Sequence, residues 1–257
     1  MIEIKDLHFT YNGSDIIKGI NTRFNDGEII GIIGQSGSGK TILLKLLSGK
    51  IKDFKGEILI DRRPILSFSR KELHKNISYS CNIIPENTEE TLQNFLLLSR
   101  IPHKKFLNPL SDYDIQIVEE NINMFELEQY RNNILSSLPD SILKKAILAF
   151  FFSRKAEIFL MDNPTSDLDI SAMTILHKAI YRYVLDGKSI IILALNDLNF
   201  ILQTSDRVLL LNNGELVMDV HPTGIDVDII REHFGIEVFL SKNIYNGRPN
   251  IHFVPEN

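Results

Sequence analysis

The stretch GQSGSGKT, Gly34 to Thr41, decides how the chain folds. It fits the pattern G-x-x-x-x-G-K-[ST] at every fixed position. Chemistry explains the spacing. Gly34, Gly37 and Gly39 carry no Cβ, so backbone N–H groups there, with those of Ser36 and Ser38, can approach a phosphate closely. Lys40 reaches toward the outer phosphates, and Thr41 offers a hydroxyl to magnesium. The flanks agree with this reading. EIIGIIG, Glu28 to Gly34, is a short apolar run suited to a strand buried on both faces, and KTILLKLLSG, Lys40 to Gly49, has helical spacing and stops on glycine. A strand, a glycine-rich loop and a helix in that order make a chance turn a poor explanation.

Working outward, residues 2–9 alternate as a half-buried strand. AEIFLMD, SIIILAL and DRVLLL are further apolar runs, and the helical stretch ISAMTILHKAIYRYVL lies between the first two. LLLNNGELVM carries Asn213-Gly214 between apolar runs, the signal of a type I′ hairpin. Between these regions TEETLQNFLLLSR and SDYDIQIVEENINMFELEQY read as helices. The expected class is α/β, with a mixed, mainly parallel sheet core, an N-terminal antiparallel strand region and a helical subdomain. One domain over 1–257 is expected. Its core comprises 1–82 and 153–220, its helical subdomain 83–152 and its C-terminal tail 221–257.

Composition sets limits. The 257 residues are 44% hydrophobic and 24% charged, enough for one sizeable core plus a smaller subdomain. A net charge of −5 with scattered Lys and Arg provides no basic stripe, which argues against a nucleic-acid partner. The single cysteine, Cys81, excludes an internal disulfide framework, suits a reducing compartment and reads as a small packed residue. No run approaches the ~18 apolar residues of a membrane span, and ILKKAILAFFF is interrupted by Lys144 and Lys145, so it reads as a core helix with Phe150, Phe151 and Phe152 packed inside. The chain is expected to be cytosolic.

Asp162 closes EIFLMD. At the C-terminal tip of a parallel strand it could hold a magnesium ion's water shell; taken alone it could equally cap a helix beginning near Thr165. Beside the phosphate-loop motif the metal reading is preferred. GQSGSGKT, FLMDNPTSDLD (Phe159 to Asp169) and Tyr11 together resemble the nucleotide-binding domain of ABC transporters across essentially the whole chain. The tail TGIDVDIIREHFGIEVFLSKNIYNGRPNIHFVPEN is similar to that of ATP-binding subunits from iron-siderophore, haem and vitamin B12 importers. The resemblance implies ATP and Mg2+ as ligands and a sandwich dimer in which each ATP lies between one chain's phosphate loop and the other's signature segment. It places Tyr11 against adenine, where the plain alternative is a packed strand tyrosine. It also places Lys40, Thr41 and Asp162 around phosphate and metal, and Asp169 between the two chains.

Other positions depart from the family. Asn163 stands where a glutamate usually polarises the attacking water; an amide accepts no proton and is one methylene shorter, so general-base help worth ~10²–10⁴-fold is lost. Asn196 stands at the switch-histidine position, and none of the seven histidines is found at that strand end. Asn82 replaces the glutamine that meets magnesium and the γ-phosphate. The resemblance places the signature on LPDSI, Leu138 to Ile142, where Pro139 removes a donor, Asp140 puts negative charge in place of glycine, and Asp140 with Ser141 leaves the glycine pair absent. A frame using Ser136 and Ser137 also lacks the glycine pair.

These changes imply ATP binding with weak or absent intrinsic hydrolysis. A homodimer would then have two impaired sites, so a mixed dimer with an intact second ABC subunit is the expected assembly. The helical subdomain is expected to dock on a membrane permease, holding the chain on the inner face of the membrane. The alternative is a soluble ATP-dependent switch or assembly factor without a pore, since fold alone does not fix function. A decayed copy fits less well with an intact phosphate loop.

Overall fold

The computed structural model describes residues 1–80, 89–104, 109–185 and 187–254. In chain order the main elements are β1 (Ile2–Tyr11), β2 (Ser14–Phe24), β3 (Ile29–Ile33), α1 (Lys40–Leu47), β4 (Lys55–Ile60), β5 (Arg63–Pro64), α2 (Arg70–Asn76) and β6 (Ile77–Ser80). Then come α3 (Leu92–Leu98), α4 (Asp112–Met124), α5 (Asp140–Ser153), β7 (Ile158–Asp162), α6 (Ile170–Val184), β8 (Ile190–Ala194), α7 (Leu198–Thr204), β9 (Arg207–Asn212) and β10 (Glu215–Val220). The tail adds α8 (Val227–Phe234), β11 (Val238–Lys242) and β12 (Pro249–Phe253).

One six-stranded sheet organises the molecule in the order β10-β9-β3-β8-β7-β6. All its pairings are parallel except β9 with β10. β3 is central because it can be buried on both faces. Ile29 and Ile33 point into the core on the helical side, and Ile30 and Ile32 into the core on the other. Gly31 lies between them because a Cβ there would stand 2.4 Å from Ile201 Cγ2 of α7, so the helix packs directly on the strand backbone. The expected hairpin forms at Asn213-Gly214, with φ of 48° and 84°, as a type I′ turn requires.

The second sheet, β2-β1-β4-β5, is antiparallel and covers the Ile30 and Ile32 face together with α1. On the opposite face α5 lays Phe151 and Phe152 against β7. The Phe152 ring lies 5.5 Å from Phe159, 5.9 Å from Phe125 and 4.9 Å from Tyr183, so one side chain joins the helices after residue 89 to the main sheet. Arg100 reinforces this junction. Its buried guanidinium meets Asp114 at 3.0 Å and donates to the carbonyls of Ser153 and Arg154 at the end of α5, the second of which His103 Nε2 also approaches at 2.8 Å. Residues 221–254 form α8 and a hairpin of β11 and β12, the hairpin packing on α7. No helix among the described residues is long and apolar enough to cross a membrane.

Removing the Phe152 ring would leave a cavity where both halves of the helical side meet. Phe152→Ala is expected to destabilise the chain by about 3–5 kcal/mol in urea denaturation, with the transition midpoint lowered accordingly. A change below about 1 kcal/mol would mean that this cluster does not join the helices to the sheet.

Candidate functional site

Three neighbouring parallel strands, β3, β8 and β7, end at the same edge, and register fixes their tips side by side: Ile32 pairs with Ala194, and Ala194 with Asp162. The segments that follow, 34–41, 195–197 and 162–163, are therefore forced together, in the place where open α/β sheets bind ligands. A cavity of about 380 Å³ lies there, walled by Ser36, Gly37, Gly39, Lys40 and Thr41 from the first, Asn196 from the second, and Asp162 and Asn163 from the third.

Steric exclusion shapes the loop. At Gly34, with φ of 152°, a Cβ would stand 2.2 Å from the Leu211 carbonyl oxygen and 2.6 Å from Ser38 Oγ. Gly39, at φ of 106°, opens α1 without any side-chain cap, and the first turn of that helix contains no acidic residue. The free N–H groups of this turn, together with the positive end of the helix, suit an anion. Ser38 Oγ is buried without a hydrogen-bond partner, a further polar atom held against the loop.

Lys40 turns back over its own loop. Its Nζ donates to the Gly34 carbonyl at 2.6 Å and to the Gln35 carbonyl at 2.9 Å. Burial lowers its pKa below the ordinary lysine value, while the charge of Asp162 acts in the opposite sense. Thr41 Oγ1 donates to Asp162 Oδ1 at 3.1 Å, and Tyr79 donates to Asp162 Oδ2 at 3.4 Å. A hydroxyl and a carboxylate brought together beside a phosphate loop are hard oxygen ligands of the kind magnesium takes with its waters. No cluster of His, Cys, Asp and Glu among the described residues offers another metal site.

Both asparagines, Asn163 and Asn196, line this cavity. Asn163 has φ of 51°, a left-handed conformation that asparagine tolerates better than most residues, and its N–H donates to the Ala194 carbonyl at 2.8 Å. Asn196 is exposed at the tip of β8. Neither amide can take a proton from water.

Other sequence candidates stand elsewhere. Tyr11 is 61% exposed at the end of β1 and does not line the cavity, whereas Ile16 of β2 does. Asp169, not Asp162, caps the helix that follows β7: its Oδ1 accepts from Ala172 N at 2.7 Å, so the capping alternative for Asp162 falls away. Leu138 is buried, while Asp140 and Ser141 are exposed in the first turn of α5, and none of the three lines the cavity. Ser137 spends its hydroxyl on the Ile134 carbonyl. Asn82 and Cys81 lie outside the described residues.

The phosphate loop, the strand-end acid and the sheet order have one further correspondence. Residues 17–166 match the model of the ABC transporter family. The chain belongs to that family. Among curated ABC relatives, a petrobactin import ATP-binding protein, FpuC of Bacillus anthracis, is 27% identical over 100% of this chain and 93% of its own length. The hemin import ATP-binding protein HmuV of Pseudomonas fluorescens is 25% identical over 98% of this chain and 99% of its own. An ABC transporter assigned to the metal-chelate type, solved in an inward-facing conformation, superposes with a TM-score of 0.81 at 19% identity, covering 100% of this chain and 97% of the other. That last likeness is one of fold.

Ile16 was not legible as a site residue because an aliphatic strand residue carries no chemical signal. Gln35 was also overlooked: it holds a variable position of the motif, yet its carbonyl receives the Lys40 ammonium.

The lowered pKa of Lys40 gives a directional test. In this ABC chain the ammonium deprotonates at lower pH than an ordinary lysine, so nucleotide affinity is expected to fall in that alkaline range before a free lysine would titrate. Calorimetric titration across pH checks this, with Lys40→Arg as the comparison; a wild-type profile as flat as the arginine variant's would contradict it.

Proposed function

We propose that this chain is the ATP-binding subunit of an ABC importer of the iron-chelate or haem class, holding Mg-ATP at residues 34–41 while hydrolysing it weakly on its own. One observation carries the reading. Lys40, Thr41 and Asp162 line the cavity together, and the other two candidate positions that line it are the amides Asn163 and Asn196. The importer class rests on the petrobactin and hemin names of the relatives.

In this reading the amides of the loop and the N-terminal end of α1 receive the phosphate chain, and Lys40 leaves its two carbonyls to meet the outer phosphates. Thr41 and Asp162 would hold magnesium, which supplies charge neutralisation on the β- and γ-phosphate oxygens. Asn163 can orient a water by hydrogen bonding but cannot relieve it of a proton, and Asn196 can donate to phosphate without becoming charged. Binding is thereby separated from proton removal. In the same reading Tyr11 stacks on the base, and Leu138, Asp140, Ser141 and Asp169 face a second ABC-type subunit. Since Asp140 repels the nucleotide bound by that subunit, the dimer is asymmetric. The helices of 83–152 dock on a permease at the inner face of the membrane.

The test is Mg-ATP binding and steady-state hydrolysis by the purified chain, with Lys40→Ala as the blank and Asn163→Glu combined with Asn196→His as the restored form. Wild type is expected to bind in a Lys40-dependent way with turnover within about twofold of the blank, and the restored form to exceed it by ~10²-fold or more. Clear Lys40-dependent turnover by wild type would overturn the weak-hydrolysis reading.

A further inference from the structure

Besides the Thr41–Asp162 contact, the phosphate loop is tied to the rest of the chain at Ser38 and at Gln35. At Ser38 the hold is backbone to backbone: Gly214 N–H, in the β9–β10 turn, donates to the Ser38 carbonyl at 3.1 Å. At Gln35 it comes from the far end of the chain. α8 closes on Gly235 in the left-handed conformation, whose N–H returns to the Arg231 carbonyl, so the carbonyl of His233 in the last turn needs a partner from elsewhere. Gln35 Nε2 provides it, donating at 2.6 Å across 198 residues of sequence.

The imidazole of the same histidine is fixed separately. The Asn212 amide lies 3.0 Å from His233 Nδ1, and because an NH₂ group only donates, Nδ1 is the acceptor. His233 thus bridges the end of β9 and the phosphate loop. Gln35 continues the connection inward, since its own carbonyl accepts from Lys40 Nζ at 2.9 Å. The rest of the tail is anchored independently: Asn199 of α7 pairs with both backbone groups of Ile251 at 2.8 and 3.0 Å, and Gln203 donates to the Pro249 carbonyl at 3.0 Å. α7 in turn rests on Gly31 of β3, the strand that leads into the loop. The tail therefore grips the loop and its supporting strand by different residues.

From this arrangement we infer that the C-terminal segment 221–254 is coupled to the phosphate loop through His233 and Gln35, which makes Gln35 a positioning residue for the nucleotide and makes nucleotide binding order α8. The inference rests on the reading that residues 34–41 hold ATP. Its physical content is linkage: if docking of α8 holds Gln35 where the loop binds phosphate best, then bound phosphate must hold α8 to the same degree. Gln35 touches no reacting atom in this role. It holds the path of the loop at residue 35, whose backbone carbonyl Lys40 uses in the nucleotide-free chain and leaves to meet phosphate.

The experiment is hydrogen–deuterium exchange on the full chain, wild type and Gln35→Ala, with and without Mg-ATP, alongside calorimetric affinities. In wild type, Mg-ATP is expected to slow exchange over residues 227–236. In Gln35→Ala that slowing is lost and affinity falls about 2- to 12-fold, the range of one net hydrogen bond, while amides of β3, β7 and β8 keep their wild-type rates. Asn212→Ala, which frees the other end of His233, should reduce the same nucleotide-dependent slowing, and the double variant should be no worse than the weaker single one. Equal slowing in wild type and Gln35→Ala, or affinity unchanged, overturns the coupling. Should wild type fail to bind Mg-ATP, the nucleotide reading falls and the nucleotide-free protein decides the coupling. Faster exchange of 36–41 and 227–236 in Gln35→Ala then supports the contact, and identical rates overturn it.

Discussion

No side chain can stand at residue 34, and the nucleotide edge is arranged around that exclusion. A Cβ there would lie 2.2 Å from the Leu211 carbonyl, so the loop leaves β3 pressed against the end of β9. From that origin it closes over the Lys40 ammonium, held by the carbonyls of Gly34 and Gln35, and runs into a helix whose first turn is left uncapped. The parallel order of β3, β8 and β7 then brings Asp162 and Asn196 to the same place without any further device. A bulkier residue at 34 would move the loop away from β9 and from the cavity wall together.

Charge divides the site into two halves. On one side Lys40, Thr41 and Asp162 form a linked set in which the carboxylate faces both the hydroxyl and the ammonium. On the other side both residues are neutral amides, one of them in a left-handed turn. The proposed separation of binding from hydrolysis rests on this contrast: transition-state stabilisation is shared among several groups, and proton removal is the one that amides cannot provide. The petrobactin and hemin import ATP-binding proteins to which the chain is similar set the proposal in its family context.

Local patterns carried most of the fold. The isoleucines of EIIGIIG, alternating between two cores, mark a strand buried on both faces, and Asn213-Gly214 marks a hairpin whose positive φ values the structure contains. The phosphate loop was legible because its glycines and lysine are chemically specific at fixed spacing. Three features were not. The tail's two strands, Val238–Lys242 and Pro249–Phe253, are short and separated by a polar turn, so they carry no clear strand signal. Ile16 is an ordinary strand residue until the hairpin at Gly214 docks beside it, where a Cβ on that glycine would lie 2.3 Å from the Ile16 carbonyl. The contact of Gln35 with His233 joins one variable position of a motif to a helix end far along the chain, and no spacing rule reaches that far.

The proposed function turns on a site that holds ATP and hydrolyses it only weakly. The most direct measurement is to incubate the purified chain with excess Mg-ATP, remove free nucleotide rapidly, denature the protein and identify what was bound. Recovery of ATP, at about one per chain and unchanged over hours, is the result the account predicts. Recovery of ADP, appearing at a steady rate and abolished by Lys40→Ala, would contradict it and would show that Asn163 and Asn196 support turnover.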